Sequence, residues 1–259
     1  MNERETLNYV NDVLTISGCD CRDLIKSYGT PLYVMDEEHI EKMCKTFVNT
    51  MNENYPNGKV LYASKAFCCK EMYRIISKHK MGCDVVSAGE ILTAKSAGFD
   101  LGEAYFHGNN KTNEEIIIAI ENGVKKFVLD NMDEVDNLNS IIAQIFPGKI
   151  IDVLVRVNPG VEAHTHAYIQ TANEDSKFGV SFENAEILIN ELSLLGNLNF
   201  VGLHCHIGSQ IFGFDAFRLA AKKLVEFANQ LKIKFGIKVK EIDLGGNCWS
   251  KRHYCRNNF

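Results

Sequence analysis

A lysine and a pair of glycines stand where apolar, strand-like segments of this sequence end. Lys65 lies near the end of a β-rich segment, 59–66, and Gly245 and Gly246 follow another, 239–244. Desolvation at the end of a buried strand favours the neutral amine of a lysine, which is the form that condenses with a carbonyl group. A lysine that extends from a strand end into solvent is the commoner arrangement, so Lys65 indicates covalent chemistry only together with other groups.

The two glycines provide such a group. A Gly-Gly pair lets the backbone approach an anion closely, and parallel α/β barrels frequently bind phosphate in the loops after their seventh and eighth strands. Alone, a pair of this kind usually marks only a turn. A reactive amine and a phosphate-binding loop at one end of the same sheet together indicate pyridoxal 5'-phosphate as the cofactor.

Strand-like and helical segments alternate along the chain, and they must position these residues. The predicted strands are 59–66, 83–87, 104–107, 127–130, 151–158, 201–207 and 239–244, and the predicted helices are 36–51, 68–80, 89–97, 113–122, 133–146, 182–195 and 214–235, the first of them capped by Asp36. Nearly all of the strands are apolar, as strands buried on both faces are. The alternation predicts an α/β fold with parallel strands joined by crossovers.

An open doubly wound sheet and a (β/α)8 barrel of the TIM type both fit this order. The first strand runs into Ser64-Lys65-Ala66 rather than into the G-x-G-x-x-G turn of a dinucleotide-binding sheet, which favours the barrel. Catalytic groups of barrels lie at the carboxyl ends of the strands. Polar residues collect at those positions here: Lys65, Asp84, Ser87, His107, Asp130, Arg156, Asn158, His204, His206 and Asp243.

The sequence pattern predicts only about seven strands, whereas a barrel of this type has eight. Residues 247–259 (NCWSKRHYCRNNF) are polar and lack periodicity, so they predict neither an eighth strand nor a closing helix. Residues 1–29 contain no evident barrel element. We therefore expect an amino-terminal extension at 1–29, a C-terminally incomplete barrel at 30–246 and an unrelated tail at 247–259.

The composition excludes other functions. The 259-residue chain has 28 Lys and Arg against 33 Asp and Glu, a formal net charge of -5, and its basic residues are scattered, which argues against nucleic-acid binding. The amino-terminal residues are polar, and no segment approaches the roughly 18 apolar residues of a membrane span. We therefore expect a cytoplasmic protein with no signal peptide and no membrane partner.

The cysteines and two neighbouring histidines do not indicate a metal site. The chain has nine cysteines, an odd number that fits reduced thiols better than a disulfide framework, and their spacings are not those of zinc ligands. His164 and His166 have no third ligand nearby in the sequence, and we expect them to lie in a loop. No metal is predicted.

Several short motifs together resemble one family. They occur in the order Tyr62-Ala63-Ser64-Lys65-Ala66, Cys83-Asp84-Val85-Val86-Ser87-Ala88-Gly89-Glu90, His107-Gly108-Asn109-Asn110-Lys111, Arg156-Val157-Asn158-Pro159, Ser176-Lys177-Phe178-Gly179 and His204-Cys205-His206-Ile207-Gly208-Ser209-Gln210. This order is similar to that of the diaminopimelate decarboxylases, in the fold-type III, alanine-racemase-like group of pyridoxal-phosphate enzymes. The resemblance implies decarboxylation of meso-2,6-diaminopimelate to L-lysine, with the cofactor as electron sink.

The resemblance also implies roles for individual residues. Lys65 would bind the cofactor covalently and later act as an acid or base, and His206 would stack on the pyridine ring. Gly208, Ser209, Gly245 and Gly246 would contact the phosphate. Asp84 would lie near the covalent link, although it could equally cap the following helix. His107, Arg156 and Lys177 would support the site: Arg156 needs a carboxylate partner, and Lys177 would lie near the contact between two subunits of a homodimer.

The sequence departs from the family pattern after Gly246. Asn247 stands where a further glycine is expected, and no position matches the glutamate of an eighth strand or the C-terminal β domain of the family. We expect a truncation or a shifted reading frame at this point, and a chain that, expressed alone, is poorly stable and nearly inactive. The alternatives are another fold-type III amino-acid decarboxylase or racemase, a non-catalytic remnant that binds the cofactor or a partner subunit, and a barrel that binds no cofactor.

Overall fold

A computed structural model describes residues 6–161, 178–208, 211 and 214–246 of the chain. The amino-terminal part comprises β1 (Leu7–Val10), β2 (Val13–Ile16), β3 (Cys19–Asp20) and α1 (Cys21–Tyr28). The strands that follow are β4 (Leu61–Ala63), β5 (Gly82–Val85), β6 (Ala104–Phe106), β7 (Lys126–Leu129), β8 (Ile151–Arg156), β9 (Leu198–His204) and β10 (Glu241–Asp243). The helices are α2 (Glu37–Asn54), α3 (Lys70–Lys78), α4 (Ala88–Ser96), α5 (Asn113–Glu121), α6 (Met132–Ile145), α7 (Phe182–Leu192) and α8 (Phe214–Phe235).

The strands β4 to β10 form one parallel sheet in which spatial order follows chain order. A helix separates each strand from the next, so the predicted alternation and the seven predicted strands are confirmed. Within the described residues, β4 and β10 are the two edges of this sheet.

The sheet is curled like a barrel rather than open and flat. The Tyr105 hydroxyl on β6 donates a hydrogen bond of 2.9 Å to the Glu241 carboxylate on β10, although three strands lie between them in the sheet. Such a contact requires the inner face to be concave. Apolar side chains fill the concave side below the carboxyl ends of the strands: Leu61, Tyr105, Val128, Leu154 and Val201.

The outer face of the sheet is covered by the helices. Fully buried strand residues such as Val85, Phe106 and Phe127 belong to the main apolar core, together with Ile91 of α4 and Ile120 of α5. Inner and outer residues alternate along each strand, which is why both strand faces read as apolar in the sequence. This packing fixes the strand ends, and therefore the residues that follow them.

Local capping sets where the helices begin. The Asp36 side chain accepts a hydrogen bond of 3.0 Å from the His39 amide, which confirms the predicted cap of α2. Thr112 and Glu115 form a capping box at the start of α5. Side-chain caps also start α4, α6 and α7, whereas α3 begins without a side-chain cap.

The amino-terminal extension has structure that the sequence pattern did not reveal. Strands β1, β2 and β3 form a separate antiparallel sheet, and α1 begins at an Asp20 cap. The strands have only two to four residues and β1 is exposed throughout, so they lack the apolar periodicity on which a prediction depends. None of the helices in the described ranges has the length and apolar composition needed to cross a bilayer.

Candidate active site

Polar side chains converge on the inner face of the curled sheet at the carboxyl ends of its strands. Arg156, His204 and Asp243 are register partners on the neighbouring strands β8, β9 and β10. Because paired residues of parallel strands point to the same face, these three side chains share the concave side. His107 and Asp84 reach the same region from β6 and β5.

Lys65 is exposed, so the expectation of a desolvated lysine on the strand is wrong. Strand β4 ends at Ala63, and Lys65 lies in a short 3-10 turn, Ser64–Ala66, which carries its side chain beyond the last ladder residue into solvent. The preceding residue, Ser64, is fully buried, and its hydroxyl donates a hydrogen bond of 2.6 Å to the Asp84 carbonyl oxygen. The turn is thereby fastened to the neighbouring strand at the level of the site.

Asp84 does not cap a helix. The cap of α4 is Ser87, whose hydroxyl accepts from the Glu90 amide, so the alternative reading of Asp84 is excluded. Instead, Asp84 Oδ1 lies 3.2 Å from His107 Nε2, without the geometry of a hydrogen bond. Both atoms are buried and lack a hydrogen-bond partner among the residues that the structure describes.

His204 and Asp243 form the best-defined polar pair of the site. His204 Nδ1 lies 2.9 Å from Asp243 Oδ2, and Asp243 Oδ1 accepts a hydrogen bond of 2.8 Å from the Gly245 amide. Burial favours a higher pKa for Asp243, but the hydrogen bond and charge of His204 and the Gly245 amide hold that pKa at about 2. Burial lowers the pKa of His204 against the effect of Asp243. Because the carboxylate is ionised, His204 Nδ1 is the donor of this hydrogen bond.

The ring of His107 connects this pair to Asp84. Its centroid lies 4.8 Å from that of His204, with the two planes at 74°, an edge-to-face contact. Ligand atoms of His107, His204 and Asp243 all lie within 4.8 Å of one another. Because His204 and Asp243 are already bonded to each other through two of these atoms, we assign the cluster to this polar network rather than to a metal.

His206 follows β9 and packs directly against Gly245. A Cβ atom on Gly245 would lie 2.9 Å from His206 Nδ1 and 2.7 Å from the Cys205 carbonyl oxygen, and the φ angle of Gly245 is +63°. Glycine is therefore required for this close approach. Burial, followed by the positive charges of Lys65 and Arg156, lowers the pKa of His206 to about 4, so the imidazole is neutral near pH 7.

Arg156 has the carboxylate partner that a buried arginine needs. Its guanidinium lies 3.7 Å from Asp130 Oδ2 and stacks over the Phe178 ring at 4.8 Å. The same carboxylate oxygen accepts a hydrogen bond of 3.2 Å from the Gly179 amide. Asp130 thus joins the end of β7 to the segment that follows β8.

The described residues include all but two of the predicted site residues. Ser209 and Lys177 lie outside the described part of the chain, as do His164, His166 and Asn247. Gly208 has a φ angle of +130°, and Gly246 is exposed with open space where a Cβ would lie. The seven cysteines in the described ranges are all free thiols.

The sequence analysis assigned no role to three residues that the fold brings into the site. Asp130, His204 and Asp243 were noted only as polar residues at strand ends, and all three are buried or nearly so. The signal that could have indicated them is their position at the carboxyl end of an apolar strand, which in a barrel faces the mouth. The partner of each depends on strand register, which the sequence alone did not supply.

These residues fit an anionic, aromatic cofactor with an aldehyde group. Lys65 offers an accessible amine, and His206 offers a neutral planar ring on glycine backbone. The positive φ angle of Gly208 belongs to backbone that can turn its amide toward an anion, whereas the amide of Gly245 already donates to Asp243 Oδ1. The unpaired atoms of Asp84 and His107 provide polar groups that a bound molecule could satisfy.

Comparison with known proteins identifies the class. Residues 37–254 match the family described as "Pyridoxal-dependent decarboxylase, pyridoxal binding domain". This match covers most of the chain, and the chain belongs to that family, whose cofactor is pyridoxal phosphate.

Individual relatives indicate which kind of decarboxylase the chain is similar to. Diaminopimelate decarboxylase of Bacillus methanolicus is 42% identical over 236 residues, which are 90% of this chain and 54% of that protein. The protein of the same name from Staphylococcus aureus (strain COL) is 39% identical and is covered to the same 54%. The crystal structure of diaminopimelate decarboxylase from M. jannaschii in co-complex with L-lysine superposes with a TM-score of 0.88 at 32% identity, covering 100% of this chain and 60% of that one. The chain thus spans about half the length of the curated relatives it matches.

Proposed function

We propose that this chain is the pyridoxal-phosphate-binding part of a decarboxylase that converts meso-2,6-diaminopimelate to L-lysine. The observation that carries the proposal is that an accessible amine, Lys65, and a neutral ring, His206, follow the carboxyl ends of two strands of one curled sheet, with the ring resting on Gly245. The positive charge of Lys65 helps to lower the pKa of His206. The names of the relatives support the substrate.

The cofactor, when bound, supplies an electron sink for the pair released when carbon dioxide leaves the α-carbon. The residues of this chain supply orientation and proton control. Lys65 would hold the cofactor through its amine, which condenses with the aldehyde carbon with loss of water, and would later carry a proton at Nζ. His206 would support one face of the pyridine ring, and a neutral imidazole would do so without adding a second positive charge beside Lys65.

The other polar groups of the site hold Lys65 and His206 in position. Asp243 holds the Gly245 amide through one oxygen and His204 through the other, so β10 and β9 keep a constant offset at the site. Asp84 and His107 lie near the turn that carries Lys65, and we assign to them polar contacts with the cofactor or with the substrate amine. By the resemblance, Gly208, Ser209, Gly245 and Gly246 would contact the phosphate, Gly245 while its amide stays bonded to Asp243, and Arg156 and Lys177 would support the site.

The substrate assignment follows chemistry and similarity together. An α-amino acid has the amine that would take the place of Lys65 on the cofactor and the carboxylate that would leave as carbon dioxide. The M. jannaschii relative was crystallised with L-lysine, the decarboxylation product of diaminopimelate. We further propose that the protein works in the cytoplasm, where its free thiols stay reduced, and that it functions as a homodimer.

The proposal is tested by titrating the purified chain with pyridoxal phosphate. We expect a visible absorbance band that disappears in Lys65→Ala and persists in Lys70→Ala, a matched substitution at an exposed lysine at the start of α3. Borohydride followed by peptide mapping should attach the cofactor to Lys65. Attachment at another lysine in a folded sample would overturn the assignment.

Substrate profiling tests the second half of the proposal. Carbon dioxide release is measured from meso-diaminopimelate, ornithine and arginine, with epimerisation followed in parallel. Because the chain by itself is expected to be nearly inactive, we expect only slow release, and from diaminopimelate alone. Release from ornithine or arginine, or epimerisation without gas, would replace the proposed substrate with that of another pyridoxal-phosphate enzyme.

A further inference from the structure

A buried ammonium group lies behind the candidate site, and the proposed chemistry does not use it. The side chain of Lys111 is only 3% exposed. Its Nζ donates hydrogen bonds to the carbonyl oxygens of Gly108 at 2.5 Å and Val128 at 2.6 Å, and to Glu134 Oε1 at 3.0 Å. The three hydrogens of the ammonium group therefore have three acceptors, on three different segments.

These acceptors lie next to residues of the site. Gly108 directly follows His107, whose ring contacts both Asp84 and His204. Val128 is on β7, two residues before Asp130. Lys111 consequently connects the end of β6, which presents His107, to the end of β7, which presents Asp130.

Glu134 extends the connection to the Asp130 backbone. While its Oε1 accepts from Lys111, its Oε2 accepts a hydrogen bond of 2.7 Å from the Asp130 amide. Asp130 in turn faces Arg156 and the Gly179 amide. One buried ion pair thus fixes the backbone under two site residues, one on each of two neighbouring strands.

We infer that Lys111, together with Glu134, is a positioning residue that holds His107 and Asp130 in the geometry that binds the cofactor. This inference rests on the proposed function, because the cofactor is its readout. Among the residues that the structure describes, the pair bonds to none of those assigned to the cofactor, and it acts through the carbonyl of Gly108 and the amide of Asp130. Burial lowers the pKa of Lys111, and the charge and hydrogen bond of Glu134 partly oppose this shift.

Three variants separate positioning from stability. Lys111→Met leaves a buried carboxylate without its partner and should lower the unfolding midpoint strongly. The double variant Lys111→Met/Glu134→Met removes both charges, so it should regain most of that midpoint, because apolar groups can replace a buried ion pair. Glu134→Gln is the mildest change and keeps the size of the side chain.

The matched control is Lys126→Met. Lys126 also pairs with a glutamate, Glu241, and with the Tyr105 hydroxyl, but it lies at the amino end of the sheet. The Lys126→Met variant should have a lower unfolding midpoint but an unchanged affinity for the cofactor. This control measures what the loss of a semi-buried ion pair does when the site is remote.

The readouts are the dissociation constant for pyridoxal phosphate and, in cofactor-free protein, the imidazole NMR resonances of His107 and His204. We expect the double variant to bind the cofactor at least tenfold more weakly than the unsubstituted chain and to shift the His107 resonances, despite its recovered midpoint. Glu134→Gln should show a smaller change of the same sign.

Three results would overturn the inference. The first is a double variant that recovers cofactor affinity together with stability. The second is a Lys126→Met variant that binds the cofactor as weakly as Lys111→Met. The third is a set of histidine resonances that stay unchanged in every variant. If the unsubstituted chain does not bind pyridoxal phosphate, the proposed function fails. The resonances of the cofactor-free protein then still decide whether Lys111 positions His107.

Discussion

Gly245 touches His206 so closely that a Cβ on the glycine would lie 2.9 Å from the imidazole Nδ1. The amide of the same glycine donates to Asp243, which also pairs with His204. The residues at the end of β10 therefore position both His204, the last residue of β9, and His206, which lies two residues beyond it. This contact makes a backbone position, rather than a side chain, one of the main determinants of the site.

Gly245→Ala should damage both stability and cofactor binding. The added methyl group meets the Cys205 carbonyl oxygen at 2.7 Å as well as the imidazole, and the φ angle of +63° is strained for alanine. We expect a loss of about 1–3 kcal/mol in the free energy of unfolding, measured by urea denaturation. Affinity for pyridoxal phosphate should fall about tenfold, corresponding to about 1.4 kcal/mol.

Gly246→Ala is the control for this substitution. No atom lies within 4 Å of a Cβ at Gly246, so we expect its stability to change by less than about 0.5 kcal/mol. Equal effects of the two alanines on unfolding would contradict the packing argument. A Gly246 variant that lost only phosphate affinity would instead show a direct backbone contact with the anion.

The order of the barrel elements could be predicted from sequence because local signals agreed with the global fold. Asp36 shows how: a capping residue precedes an apolar stripe, and the helix begins there. Each strand likewise lies inside or within a few residues of its predicted range. The amino-terminal sheet could not be predicted, because Leu7–Val10 is an exposed strand without a buried face.

The site could be predicted by residue type and only partly by contact. Lys65 was placed at the correct strand end, but its exposure depends on where the ladder stops, which the sequence pattern extended to residue 66. The His204–Asp243 pair and the Lys111–Glu134 pair depend on register and on side chains that meet across segments far apart in the chain. Those relations become visible only when the strands are aligned.

Asp243→Asn should destabilise the protein near pH 7. Asp243 receives hydrogen bonds from His204 and from the Gly245 amide, whereas asparagine offers only one acceptor oxygen and turns an NH2 group toward the other donor. We expect a loss of about 1.5–3 kcal/mol in the free energy of unfolding. Asp215→Asn is the control, because the Asp215 side chain is 97% exposed.

The same carboxylate predicts a dependence on acid. The pKa of Asp243 is held at about 2 in the folded chain, below its usual value, so the folded state binds fewer protons than the unfolded state. Its contribution is complete above about pH 4 and is lost as the pH falls toward 2. Stability measured between pH 5 and pH 2.5 should therefore fall more steeply in the unsubstituted chain than in Asp243→Asn, and parallel curves would contradict the prediction.

His206 predicts a second pH effect at higher pH. A folded pKa of about 4, against about 6.5 for an ordinary histidine, means that the unfolded state takes up a proton first as the pH falls. The stability that the neutral ring contributes is therefore lost between about pH 6.5 and pH 4. With discounting for partial exposure, we expect the unsubstituted chain to lose on the order of 1 kcal/mol more than His206→Asn over this range.

An NMR titration of His206 identifies the cause. Lys65→Met removes the positive charge that lowers the pKa of His206 most, so that pKa should rise. Lys70→Met should leave the pKa of His206 unchanged. Burial remains in both variants, so the pKa should stay below that of an ordinary histidine. Identical titration curves in Lys65→Met and the unsubstituted chain would mean that Lys65 does not lie beside the ring.

Ser64→Ala tests whether the turn that carries Lys65 is fastened to β5. The Ser64 hydroxyl is buried and donates to the Asp84 carbonyl oxygen at 2.6 Å, which bonds the residue before Lys65 to the residue that faces His107. Its loss leaves the carbonyl unpaired in the interior, and we expect a decrease of about 1–2 kcal/mol in the free energy of unfolding. Ser96→Ala, at an exposed serine whose hydroxyl bonds to Thr93 in its own helix, should change stability by less than about 0.5 kcal/mol.

The Ser64→Ala variant should also react more slowly when borohydride fixes the cofactor to Lys65, because the turn would no longer hold Lys65 at a fixed distance from His206. An unchanged rate of attachment would show that other contacts position the amine.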